Sequence, residues 1–174
     1  AAVILGAAKL DELLYQLLKA RLVPNASGKD ELLDGEGALG TFSSRINMVF
    51  RLGLIDPEFA RALHLIRRIR NSFAHEITGC SLESGAHADR VRELVRPFVH
   101  LEFFEAFRNG YFKSAKGVAG EFRCVVGILA ARIEHILLDL VPIDAEKSFG
   151  MLSKAMRDFK ADDDGASEDD NSRG

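Results

Sequence analysis

Between Asp56 and His75 the apolar residues Phe59, Ala62, Leu63, Ile66, Ile69 and Phe73 recur at spacings of three and four. That period is one face of an α-helix, and it excludes a strand. Asp56 is suited to capping the first free N–H groups, and Pro57 to the first helical position. Opposite the apolar arc fall His64, Arg67, Arg68, Asn71 and His75. The same period runs through residues 1–22, with Val3, Ile4, Leu10, Leu13, Leu14, Leu17, Leu18 and Leu22 on one face. It returns in residues 120–140, where Phe122, Val125, Val126, Leu129, Ile133, Ile136, Leu137 and Leu140 form a stripe fit for a bundle's centre. Phe42, Ile46, Val49, Phe50 and Leu52 predict a shorter helix with these residues inward. Residues 86–107 predict another, broken at Pro97, and residues 145–159 a last short one through Phe149, Leu152, Met156 and Phe159. With only four prolines in 174 residues, the chain reads as all-α: a single compact bundle of about five to seven helices.

Length places one helical domain at residues 1–160. The segment 161–174 carries Asp162, Asp163, Asp164, Glu168, Asp169 and Asp170 against Arg173 alone. It has nothing to bury and is expected to be a disordered acidic tail. Without it the net charge of −3 becomes +2, too little for the broad phosphate-reading surface of most DNA binders. Only Tyr15 and Tyr111 and no Trp are present, which argues against a single-strand platform built on aromatic stacking. Cys80 and Cys124 lack metal-ligand spacing and read as reduced thiols, Cys124 in the core. His87 and His100 belong to no ligand set, so neither a metal nor a cofactor is expected. No run approaches about 18 apolar residues, so no membrane span is expected. The chain reads as cytoplasmic, although it opens inside a helical pattern with no leader in view. A Gly-x-Ser-x-Gly elbow and a P-loop are both missing, which removes those hydrolase classes.

The chemistry concentrates in Arg70-Asn71-Ser72-Phe73-Ala74-His75. Asn71 and His75 are neighbours on one helix face. Arg70 and His75 are five residues and about 7.5 Å apart along the axis, on diverging sides. A His exchanging protons near neutral pH beside a guanidinium that fits phosphate suits metal-free phosphodiester cleavage, with Arg70, Asn71 and His75 as candidate catalytic residues. The plainer alternative is a His that caps carbonyls or packs locally. Arg70 lies at the edge of the apolar arc and needs carbonyls or a carboxylate, with Glu121 and Glu134 as candidates. Gly35, Gly37, Gly40 and Ser43 precede a helix and could contact phosphate; equally, the glycines form a tight turn and Thr41 or Ser43 a cap. Arg45 either joins Arg70 in an anionic site or pairs with Asp34. Arg67 lies on the basic face, where phosphate would arrive.

The run Arg70-Asn71-Ser72-Phe73-Ala74-His75 resembles the Arg-Asn-x-x-x-His signature of the HEPN superfamily of small helical proteins. Leu33 to Ile46, through Gly35, Gly37 and Gly40, resembles a loop of the narrower mannitol operon repressor family. There such a loop precedes a helix ending in Leu-Gly-Leu-Ile, matched by Leu52-Gly53-Leu54-Ile55, and the next helix closes with a stretch matched by Ile66 to His75. The likeness covers roughly residues 30–77. It implies an HEPN-like bundle, a homodimer, and a cytoplasmic regulator acting in transcriptional control through a protein partner or weak nucleic-acid contact, RNA or DNA. The wider superfamily implies an alternative, a metal-independent endoribonuclease in which two copies bring Arg70 and His75 together. In it His75 would be the general acid or base, Arg70 would hold the scissile phosphate, and Asn71 would orient either.

Overall fold

The computed structural model describes residues 2–26, 28–75, 81–111, 113, 115–144, 150 and 153–158. The chain divides into two compact units, Ala1–Leu140 and Val141–Gly174, so the span 1–160 drawn from sequence is divided at residue 140. Among the described residues all regular structure is helical. The first unit holds α1 (Ala2–Arg21), α2 (Phe42–Arg51), α3 (Pro57–His75), α4 (Gly85–Val95), α5 (Glu102–Tyr111) and α6 (Gly117–Leu138). In the second unit, residues 150 and 153–158 are helical. Phe149, Leu152, Phe159 and the tail 161–174 lie outside the described residues, as does Cys80.

The bundle is organised around α1 and α6. α1 packs on α6, α2 and α3, while α6 also covers α4 and α5. Leu10, Leu14, Leu17 and Leu18 of α1 are fully buried, as are Val125 and Ile133 of α6. Gly6 lets Val126 approach the α1 backbone, where an added Cβ would lie 3.1 Å from its methyl. Cys124 is buried in this core, and burial pushes its thiol up. Two residues expected inside are not. Ile4 is exposed, and Phe50 in the last turn of α2 flanks the buried set Phe42, Ile46 and Val49 at 37% exposure. Among the described residues no helix is long and apolar enough to cross a membrane.

Local chemistry sets the angles between helices. Thr41 and Ser44 form a reciprocal capping box at the start of α2. Its end is a Schellman turn: Leu54 N–H donates to Val49 O and Gly53 N–H to Phe50 O. That turn needs φ of +70° at Gly53, and it delivers the chain to Asp56. The Asp56 carboxylate then accepts from Phe59 N–H at 2.8 Å, starting α3 as expected. Pro97 lies in the turns that separate α4 from α5. Glu83, just before α4, accepts from Ala119 N–H at 3.0 Å and Val118 N–H at 3.2 Å. Its carboxylate therefore caps the positive end of α6 and ties the start of α4 to it.

Candidate functional site

A cleft of about 520 Å³ opens beside the C-terminal half of α3, lined by Arg68, Asn71, Ser72, His75 and Arg90. The α3 members are spaced three, four and seven apart, so a regular helix must present them together. Arg90 comes from α4, which is held against α3 by buried Val91 and Leu94 and by His87. The His87 ring packs on Phe73 with centroids 4.5 Å apart. Arg90 then reaches across, its Nη1 donating to Ser72 Oγ at 2.7 Å. Among the described residues no carboxylate lines this cleft, and neither Arg68 nor Arg90 has an ion-pair partner there. Two guanidinium forks, a carboxamide, a hydroxyl and an exposed imidazole thus face one open volume, a donor set complementary to phosphate oxygens.

The expected site residues separate. Asn71 and His75 line the cleft. Arg70 does not, because α3 stays helical through His75 and keeps the two side chains well apart around the axis. Among the described residues the carboxylate expected for Arg70 is also missing. Glu134 pairs with Lys9 at 3.2 Å, and the Arg70 side chain makes no ion pair or hydrogen bond among the described residues. Arg68 and Arg90 supply the cations instead. Arg68 was legible as the residue three before Asn71 and seven before His75. Arg90 was not, because it reaches Ser72 through the packing of α3 on α4, which no local pattern encodes.

The Gly-rich loop is a self-contained turn and lies outside the cleft lining. Gly37 N–H donates to Asp34 O and Gly40 N–H to Gly37 O, so these amides are used internally and do not form a phosphate cradle. A Cβ on Gly37 would run into the Glu31 and Leu32 carbonyls, and one on Gly40 into Gly35 O. Arg45 locks the loop to α1. Its Nη1 pairs with Asp11 at 2.8 Å, its Nε donates to Leu39 O at 2.9 Å and its Nη2 to Leu33 O at 3.1 Å. The guanidinium also lies over the Tyr15 ring, 5.1 Å from the centroid. Asp34, one partner expected for Arg45, instead accepts from Tyr15 Oη at 3.0 Å, which raises the Tyr15 phenol above its ordinary value. Ser43 neither caps α2, a task taken by Thr41, nor lines the cleft.

Arg67 faces a neighbouring depression with His64, whose Nε2 lies 3.0 Å from Asn47 Oδ1. Burial first, then the charges of Arg67 and Arg68, hold His64 below its ordinary value. No group of His, Cys, Asp and Glu among the described residues could hold a metal ion. Compared with family models, curated proteins and solved structures, the chain matches none.

Proposed function

We propose that this chain is a regulatory protein of the mannitol operon repressor type, acting through a phosphate-bearing ligand seated beside His75. One observation carries the reading: the cleft gathers Arg68, Arg90, Asn71, Ser72 and His75, with no carboxylate among its described lining residues. A surface that leaves guanidinium groups unpaired and convergent favours an anion, and nucleic acid offers phosphates in series. With a net charge of only +2 outside the acidic tail, such contact is local and modest in strength, as suits a regulator in the cytoplasm. A homodimer would present two such clefts. A mobility-shift titration with short RNA and DNA at physiological salt tests this. Binding lost in Arg68→Glu and Arg90→Glu supports it, and binding indifferent to both refutes it.

A second reading rests on His75, which is exposed within the cleft beside Asn71. In a metal-independent ribonuclease it would move the proton of a 2′-hydroxyl nucleophile while Arg68 and Arg90 held the phosphate. Arg70 would then have to enter from a second copy. Incubation with labelled RNA in EDTA separates the two: cleavage lost in His75→Ala establishes the enzyme, and intact RNA that nonetheless binds establishes the regulator.

A further inference from the structure

The His75 cleft is not alone on its face of α3. Adjoining it is a second depression of about 600 Å³, lined by Asn47 and Phe50 of α2 and by Pro57, Ala60, Arg61, His64, Arg67 and Arg68. Arg68 borders both volumes. The two cavities are built alike, each with an imidazole, a carboxamide and arginine, and among the described residues neither has a carboxylate in its lining. Arg61 is neutralised by Glu93 at 2.6 Å, whereas Arg67 and Arg68 have no carboxylate partner among the described residues. Arg67 Nε is buried and has no acceptor among the described residues. Phe50, which the amphipathic pattern assigns to the core, instead stands exposed at this end.

We propose that the two cavities form one track for single-stranded nucleic acid lying along α3. The strand's phosphates would run over Arg90, Arg68 and Arg67, and a base would rest between Phe50 and Asn47. His64 and His75 are eleven residues apart, about 16 Å along the helix, too long for one nucleotide and suited to several. Phe50 beside Asn47 gives an unstacked base the exposed benzene ring that the scarce Tyr and absent Trp do not, whereas the His75 end offers only an imidazole beside its carboxamide. A duplex would hide its base faces from Phe50. The inference rests on the reading of the His75 cleft, which it extends from a phosphate site to a strand-length one.

Fluorescence anisotropy with labelled 2′-O-methyl uridine dinucleotide and hexanucleotide tests it, because these probes cannot be cut through a 2′-hydroxyl. The hexamer is expected to bind at least about tenfold tighter than the dimer. Arg67→Gln should erase most of that gain and lower the hexamer's salt slope by about 0.7, with the dimer unchanged. Phe50→Ala and Asn47→Ala should also weaken the hexamer alone, while Arg90→Gln weakens both. Equal affinity at the two lengths, or an Arg67→Gln effect shared by both probes, overturns the track while leaving the cleft standing. A hexaglutamate peptide competing as well as the hexamer overturns nucleic acid as its occupant. Failure of both probes to bind removes the cleft reading and the track with it. Asn47, Phe50 and Arg67 all lie outside the buried core, and thermal melts of each variant check that the fold is kept.

Discussion

Replacing Arg45 by Ala separates a structural brace from a ligand contact. The side chain is only 13% exposed, and its partner Asp11 is 28% exposed. Three bonds go with it, to Asp11, Leu33 O and Leu39 O. Hydrogen bonds to charged groups contribute about 1.5–3 kcal/mol each, before allowing for water's access to Asp11. Water can reach part of the exposed carboxylate, but the two carbonyls are left with weaker partners. About 3 kcal/mol is therefore expected for the whole, a large part of the ~5–15 kcal/mol that holds a domain folded. For a unit of this size that is a fall of about 6–12 °C in Tm. Arg45→Lys keeps the charge but loses the fork, and should recover only about a third of the loss. Calorimetry, with urea unfolding at constant m-value, reads both variants. A Tm within about 2 °C of wild type, together with lost oligonucleotide binding, would refute the brace and return Arg45 to the ligand.

Four further outcomes follow from local geometry. Gly37→Ala should cost about 2–3 kcal/mol, since its Cβ would meet two backbone carbonyls; a urea midpoint equal to wild type would contradict that placement. Because His64 titrates below 6.5 when folded, its contribution to stability is complete above pH 6.5 and declines as pH falls through the folded value. Wild type should thus lose more stability than His64→Asn between pH about 7 and 5, and equal losses would count against it. Glu83→Ala should cost about 1 kcal/mol and speed hydrogen exchange at the Val118 and Ala119 amides, whose bonds it accepts. The Cys124 thiol, buried and raised, should resist iodoacetamide until the chain unfolds, so rapid labelling in native buffer would contradict its burial.

The helices were legible because their apolar faces repeat over several turns. The cap at Asp56 and the break at Pro97 followed from residue types with few alternative uses, whereas the cap of α2 was legible only as Thr41 or Ser43, of which Thr41 takes it. Burial at element ends was less legible. Phe50 and Ile4 fit the pattern, yet their burial depends on whether a neighbouring helix extends far enough to cover them. At the site, the α3 half was visible as a polar stripe, because Arg68, Asn71 and His75 share one face by helix geometry alone. Its other half was not. Arg90 reaches Ser72 through the packing of α3 on α4, to which Val91, Leu94 and the His87–Phe73 contact contribute, a tertiary relation without a local signature. The glycines and Arg45 misdirected for a related reason. A Gly-rich loop before a helix fits both a phosphate cradle and a tight turn, and only the direction of its amides distinguishes them.

The most direct test is a titration of the protein with the 2′-O-methyl hexanucleotide, followed by the imidazole resonances of its histidines in NMR. The account predicts that His75 and His64 shift together and saturably, that His135 on the exposed end of α6 stays still, and that Arg90→Glu abolishes both shifts. Saturable binding that leaves His75 unmoved, or moves it equally in Arg90→Glu, would contradict the claim that the cleft beside α3 holds the phosphate.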